Sequence, residues 1–408
     1  MFAHQGFARF WLAETVSGFG SYVTTVAIQV LVVLTLRGSA ADVGFVNAAR
    51  WLPYLLLGLV VGALVDRRRR QPVLVVTDLG RAVLLGVIPL LWFLDRLTLP
   101  VLMGVMVVFG TLSLLNDAAT QSLLPRLVPR SALLAANARL DQSASVAQTS
   151  GPVVGGALVT ALGAPLAVLV DSLSYLVSGV LTATVRVSET VAPRDGKLHL
   201  RREIGEGLAF VYRHRVLSPF AITTHGWFLF NSALTTVFVP FALIGLGLSA
   251  FELGVVLAAA GVGGLLGSLA ATRLGLRWGA GRTVIGCQIL MPVAWAIVVL
   301  APGREEAHVL ALVVVACGQF LYGIALGVSN ANSMGYRQAA TPDALQGRMN
   351  TTMRSVNRAM IVVGAPVGGL LADALGFRPV MWIGAAGLVL VALALALSPF
   401  RHAVHEAD

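Results

Sequence analysis

Charge is what this sequence has least of. Asp, Glu, Lys and Arg make up 12% of its 408 residues, half the share of a soluble domain. The shortage runs the whole length of the chain. It argues against a water-soluble fold and for an integral membrane protein of the helical kind. Lysine is nearly missing: Lys197 is the only one, and arginine carries the positive charge. Cysteine is reduced to Cys287 and Cys317, both inside apolar runs. Their spacing suits neither a disulfide framework nor a metal or redox site. A G-x-x-x-x-G-K-[ST] loop, a nucleophile elbow and a metal-ligand cluster are all wanting. The sequence therefore gives no support to an enzyme or an ATP-driven pump, and no cofactor or metal is expected. A cleavable leader is not expected either. Arg9 precedes the first apolar run, but no small-residue cleavage site follows it and the run is too long, so it reads as a retained first span.

What the chain has is apolar runs. A membrane helix needs about 20 mostly apolar residues. Twelve such runs are expected, near 8–35, 41–64, 73–94, 98–121, 139–162, 165–185, 218–244, 251–272, 282–301, 307–331, 353–374 and 378–398. Turn chemistry separates them at Arg37-Gly38-Ser39, Asp95-Arg96, Gly163-Ala164-Pro165, Pro302-Gly303 and Gly376-Phe377-Arg378-Pro379. The net charge of +10 is read as helix-end topology signals and not as a nucleic-acid surface. With both termini in the cytoplasm, one side collects Arg67 to Arg70, Arg81, Arg126, Arg130, Arg139, the basic residues from Arg186 to Arg215, and Arg273, Arg277, Arg282, Arg337, Arg348, Arg354, Arg358 and Arg401. The other side holds Arg37, Arg96, Arg304 and Arg378.

The longest polar stretch, 186–216, divides six spans from six: a bundle at 1–185 and another at 217–408. Within it, Ile204, Leu208 and Val211 recur at helical spacing among charges. That pattern predicts a short amphipathic helix on the cytoplasmic membrane surface. The halves repeat. Pro129 to Gly163 matches Pro342 to Gly376 at a constant shift of 213 residues, with Asn137 on Asn350 and Gly155-Gly156 on Gly368-Gly369. Ser39-Ala40 and Gly44 likewise match Ser249-Ala250 and Gly254. The expected fold class is an all-α membrane protein of twelve transmembrane helices in two six-helix pseudo-repeats. Parallel repeats of this kind place a substrate site near the bilayer midplane.

The run Gly62-Ala63-Leu64-Val65-Asp66-Arg67-Arg68-Arg69-Arg70-Gln71 resembles the G-x-L-x-D-R-x-G-R-K loop signature of the major facilitator superfamily. Gly62, Leu64, Asp66, Arg67 and Arg70 match; Arg69 replaces the usual glycine and Gln71 a usual basic residue. Gly151-Pro152-Val153-Val154-Gly155-Gly156 resembles the G-P-x-x-G-G motif of the efflux branches. The closer likeness is to enterobactin exporters and macrolide efflux pumps. It rests on Pro53, Leu124 to Pro129, Asp171 to Leu176, Arg202 to Leu208, Thr341-Pro342-Asp343 and Gly347-Arg348. Span four has no internal arginine, unlike many drug/proton antiporters, so proton coupling is less firmly implied than efflux. The resemblance implies alternating access, and a gating role in which Asp66 caps the N-terminus of span eleven and pairs with arginine. Arg70 and Asp117 complete that set; for Arg67 the alternative is a plain topology anchor. Arg354 and Arg358 share a face that meets either the Asp66 loop or lipid phosphate.

Charges within spans are costly and default to function. Glu14 is either a protonatable coupling group or the partner of Arg81 or Arg139 in a static pair. Arg50 reaches toward Glu14 or attracts an anionic substrate. Asp171 is a lesser coupling candidate, with Ser172, Ser174 and Tyr175 beside it. Ser17, Ser21, Tyr22 and Thr25 in span one, and Trp227, Asn231 and Thr235 in span seven, form semi-polar stripes that line a cavity or bond neighbouring helices. Gly62, Gly151, Pro152, Gly155, Gly156, Gly364, Pro366, Gly368 and Gly369 allow bending and close approach. The expected activity is secondary export of an amphipathic small molecule, with protons as the coupling partner. The alternatives are a lipid flippase on the same fold and a receptor or structural protein on that scaffold. The expected setting is a monomer among membrane lipids in a bacterial inner membrane, with no nucleic-acid partner.

Overall fold

A computed structural model describes residues 5–65, 68–185, 187, 200–303 and 307–403. These residues form twelve long helices and one short one, without a strand among them. In chain order they are α1 (Gln5–Val30), α2 (Ala40–Val65), α3 (Arg70–Phe93), α4 (Leu99–Leu127), α5 (Leu133–Leu162), α6 (Ala164–Ala183), the short α7 (Leu200–Arg213), α8 (Leu217–Pro240), α9 (Ala250–Trp278), α10 (Ala280–Val299), α11 (His308–Ala339), α12 (Asp343–Leu375) and α13 (Phe377–Leu397). Among the described residues, ten of the long helices are long and apolar enough to cross a membrane. Of the other two, α2 ends in the apolar run 54–65, part of which lies outside the described residues, and the first half of α5 carries Asn137, Arg139, Asp141 and Gln142. The chain is an all-α, multi-pass membrane protein.

Glycine makes the tightest corners. α5, α9 and α12 each stop at a glycine with positive φ: Gly163 at 83°, Gly279 at 81° and Gly376 at 87°. Only a residue without Cβ adopts that backbone freely. Two other corners are built alike. α1 and α8 both end in one turn of π-helix, Leu31–Thr35 and Phe241–Gly245. A residue with positive φ follows each, Arg37 and Gly247. The next helix then opens on a reciprocal cap: Ser39 with Asp42, and Ser249 with Glu252.

The chain divides into two compact units: Met1–Arg37 with Ala49–Leu198, and Gly38–Ala48 with His199–Asp408. In the first, α1 packs on α5 and α6, and α3 on α4 and α6. A Cβ at Gly155 would touch the Val23 backbone at 3.1 Å, so the α1–α5 contact is made backbone to backbone. The carbonyl end of α6 is held by side chains, which satisfy the acceptors a helix end leaves open. Gln71 donates to the carbonyls of Thr182 at 3.0 Å and Val185 at 2.6 Å, and Arg9 to that of Thr184 at 2.7 Å.

In the second unit, α8 packs on α12 and α13, and α11 on α9 and α10. Gly364 lies against Ser232 and Leu229, and Gly368 against Ala233. These are the positions that match Gly151 against Tyr22 and Gly155 against Val23 in the first unit. The sequence repeat is therefore also a repeat of packing. The first turn of α2 belongs to this unit: Asp373 accepts from the backbone N–H groups of Ala40 and Ala41 at 3.0 and 3.2 Å. The short α7 forms where the amphipathic pattern predicts it, but protein covers part of its apolar face. Val211 is buried in a cluster with Phe220, Met349 and Met353. Gly207 lies against Arg348 and Thr352, and Glu206 pairs with Arg348. Leu208 remains open.

Candidate functional site

A dense buried polar cluster lies in the first unit, on a residue that spacing and resemblance did not single out. In the α3 run Thr77-Asp78-Leu79-Gly80-Arg81, residues three apart share a face. Asp78 and Arg81 turn inward together and form an ion pair, at 2% and 7% exposure. Arg81, counted above among the topology signals, is thus an interior residue. Asp78 also accepts from Asn116 of α4 at 3.1 Å and from Ser178 of α6 at 2.8 Å. The Arg81 guanidinium lies 4.2 Å from the centre of the Tyr175 ring, and the Tyr175 hydroxyl shares a hydrogen bond of 2.8 Å with Ser21 of α1. Glycines let these helices close in: a Cβ at Gly80 would meet Leu112 at 2.7 Å, and one at Gly179 would meet Asp78 at 3.3 Å. A buried carboxylate is tolerable when paired and hydrogen-bonded, and Asp78 has both. The signal in the sequence was an acid and a base three residues apart in an oily helix.

Three further charges belong to the same unit. Glu14 of α1 is half-buried and accepts from Thr120 of α4 at 3.4 Å. Arg81, a proposed static partner, forms its ion pair with Asp78. Asp117 accepts from the Tyr54 hydroxyl at 2.8 Å. The Arg50 guanidinium sits 5.4 Å from the Phe109 ring centre and 5.7 Å from that of Trp51, a contact worth about 0.5–1 kcal/mol at an exposed site. Asp171 is fully buried on α6. Of the neighbours expected to satisfy it, Ser174 does so, donating to Oδ1 at 2.8 Å. Ser172 donates instead to the Ala82 carbonyl, and Tyr175 turns to Ser21.

Asp66 and Arg67 lie outside the described residues, as do the surroundings of Gly62. Arg70 opens α3 and is buried; Arg354 is exposed and Arg358 half-buried. In the α1 stripe, Ser21 faces Tyr175, Tyr22 abuts Gly151, Thr25 donates to the Ser21 carbonyl, and Ser17 is buried. In α8, Trp227 donates to the Met291 sulfur at 3.1 Å, Asn231 accepts from Tyr322 at 2.8 Å, and Thr235 donates to the Asn231 carbonyl. Ser21, Trp227 and Asn231 thus spend their polar groups on neighbouring helices, whereas Thr25 and Thr235 bond carbonyls of their own helices. Pro152 and Gly156 are buried in α5 and Pro366 is half-buried in α12; Gly369 lies against Ala40 and Ala41.

The whole chain, residues 1–408, matches the model of a family described as transmembrane secretion effector. It is 28% identical over 381 residues, 90% of this chain and 89% of the relative, to the multidrug efflux pump Tap of Mycolicibacterium fortuitum. It is 24% identical to macrolide efflux protein A of Streptococcus pyogenes over 52% of each chain. Among solved structures, the nucleoside transporter NupG superposes with a TM-score of 0.77 at 11% identity, over 96% of this chain and 98% of that one. At that identity the likeness concerns the fold alone: twelve helices in two pseudo-repeats. The chain belongs to the transmembrane secretion effector family of the major facilitator superfamily, and is a membrane transporter by family and fold.

Proposed function

We propose that this transporter is a secondary exporter of amphipathic small molecules, working by alternating access between six-helix halves at 1–185 and 217–408 and exchanging substrate for protons. Full-length likeness to a protein named as a multidrug efflux pump carries this reading. Support comes from the interior of the first unit, where Glu14, Asp171 and Arg50 sit within helices that an inert scaffold would keep oily. Glu14, which has a single hydroxyl partner at 3.4 Å, is the first residue to test for coupling. The gating set is Asp66, Arg67, Arg70 and Asp117, with Arg354 and Arg358. The location is a bacterial inner membrane, with both termini in the cytoplasm.

The test is reconstitution in vesicles with an internal pH dye and a panel of lipophilic cations, macrolides and catechol siderophores. Proton movement driven by one class names the substrate and establishes antiport. Silence across the panel with folded protein defeats the reading and favours lipid flipping.

A further inference from the structure

At the end of the second unit where α7 leads into α8, a cavity of about 370 Å³ opens between three segments. His214 lines it from the α7–α8 junction, Tyr336 from the last turn of α11, and His402 from the 3-10 turn Pro399–His402, with small apolar residues between them. That volume suits a small ligand. The frame is firmly packed. Phe400 is fully buried, stacks on Phe220 with ring centres 4.8 Å apart, and meets Tyr336 edge-on at 5.2 Å. The Gly281 N–H at the start of α10 donates to the Ala403 carbonyl at 2.8 Å.

Both histidines offer the cavity the same chemistry. His214 Nδ1 accepts from the backbone N–H groups of Val216 and Leu217 at 3.2 and 3.1 Å. That nitrogen therefore carries no proton, and the neutral ring keeps its N–H at Nε2. His402 Nε2 accepts from Arg401 Nε at 2.9 Å, which leaves its N–H at Nδ1. Each ring thus has one nitrogen engaged as an acceptor and the other left as a donor. A metal ion needs lone pairs. Freeing one on His214 Nε2 would move the proton to Nδ1 and break two hydrogen bonds. Among the described residues, no group of three or more His, Cys, Asp or Glu is placed to hold a metal. An anion needs N–H donors, and both rings supply one. The N–H groups at the start of α8 also polarise the His214 ring, which passes the positive end of that helix out to Nε2. Arg401 adds a guanidinium, and the exposed Arg213 and Arg215 flank His214. Among the described residues no carboxylate lines the cavity; Glu206, two turns back along the chain, is engaged by Arg348. The carbonyl end of α11 would repel an anion, but Gln346 donates to the Gln338 and Thr341 carbonyls there at 2.7 and 2.9 Å.

We propose that this cavity binds a phosphate group, held by His214 Nε2–H, His402 Nδ1–H and the Arg401 guanidinium. The donors come from two sides of the cavity. A tetrahedral phosphate presents oxygens in all directions, whereas a carboxylate presents two in one plane, and a guanidinium pairs with phosphate through two parallel hydrogen bonds. The group belongs either to a lipid headgroup or to a soluble phosphate compound; on the proposed topology this end faces the cytoplasm, where both reach it. Bound there, it ties the α7–α8 junction to the 3-10 turn and so stiffens this end of the unit. The site does not rest on the export reading and stands whether or not transport is coupled to protons.

The test is thermal unfolding of the full-length protein in a neutral detergent that contains no phosphate. One arm adds inorganic phosphate, with sodium chloride at matched ionic strength as its control. The other adds short-chain phosphatidylglycerol, with diacylglycerol of the same chains, which lacks the phosphate, as its control. The wild-type midpoint should rise with a phosphate probe and not with its control. A rise with inorganic phosphate shows that the group binds free of a lipid; a rise with phosphatidylglycerol alone assigns the headgroup. The double variant Arg401→Gln with His402→Ala changes exposed side chains and keeps the test decisive if His214→Gln, which also loses the ring at the start of α8, fails to fold. Each should need about tenfold more of the active probe, or greater, for the same rise. Arg277→Gln removes an exposed charge outside the cavity and should respond as wild type. No rise with either probe, an undiminished response in the double variant, or an equal loss in Arg277→Gln overturns the proposal.

Discussion

Asp78 and Arg81, one helical turn apart on α3, neutralise each other inside the first unit while reaching α4 and α6 through Asn116, Ser178 and Tyr175. Three of the four helices in this cluster are thereby fixed through one carboxylate. Removing one charge leaves the other buried and uncompensated, which typically costs 3–5 kcal/mol. Asp78→Asn should therefore unfold the protein in detergent at a clearly lower temperature than wild type. The double variant Asp78→Asn with Arg81→Gln should recover part of that loss. Equal midpoints for the single and double variants would contradict the pairing.

Gly368 and Gly347 make a contrast within α12. A Cβ on Gly368 would lie 2.6 Å from the Ala233 backbone, whereas one on Gly347 meets nothing within 4 Å. Gly368→Val should destabilise by about 1–3 kcal/mol through overpacking. Gly347→Ala should be neutral or stabilising by up to about 1 kcal/mol, since alanine is the better helix former. Thermal midpoints of the purified variants decide between them.

The attachment of α7 should depend on its buried side more than on its ion pair. Glu206 and Arg348 are each more than a third exposed, and pairs of that kind contribute less than about 1 kcal/mol. Tyr212 donates to His225 Nε2 at 2.8 Å, while His225 Nδ1 bonds Asn357 Oδ1 at 2.7 Å. A neutral histidine with its proton on Nδ1 satisfies both. Tyr212→Phe leaves a partly buried acceptor unmatched, at about 1–3 kcal/mol. Hydrogen exchange across α7 should rise more in Tyr212→Phe than in Arg348→Ala.

Asp373 should act as a cap on α2. Its loss leaves the Ala40 and Ala41 N–H groups without acceptors, an effect of about 1 kcal/mol for a capping side chain. Asp373→Ala should speed amide exchange at those two residues and leave exchange in α6 unchanged.

Glu14→Gln should flatten the pH dependence of transport if Glu14 carries the coupling proton. Asp66→Asn should slow transport without loss of folded protein if Asp66 gates. Unchanged kinetics in either variant would remove that residue from its proposed role.

The spans, the tight turns and the repeat were legible in the sequence because each leaves a local mark: a run of apolar residues, a glycine at a corner, matched residues at one shift. The direction in which a polar side chain points leaves no such mark. Ser21, Tyr22 and Thr25 all read as one semi-polar stripe. Their side chains part company because α1 packs on both α5 and α6, so that Tyr22 meets Gly151 and Ser21 meets Tyr175. Arg81 was misread for the same reason. Arginine in a membrane chain marks a helix end far more often than an interior, and only the neighbours of α3 reveal the exception. Gln71 departs from the family's basic residue at the end of the loop signature. Its amide donates to α6 carbonyls, hydrogen bonds that an uncharged side chain supplies without adding a charge.

The π-turns at the ends of α1 and α8 act as phase shifters. Each holds one residue more per turn than an α-helix would close with, so everything before it is rotated relative to everything after. Deleting a single residue from Leu31–Thr35 would restore regular winding and turn the preceding helix by roughly 100°, one residue's share of a turn. Gly20 would then no longer face Asp171, nor Tyr22 face Gly151. The wide turn thus sets the azimuth of α1 from its far end, and its counterpart in Phe241–Gly245 does the same for α8.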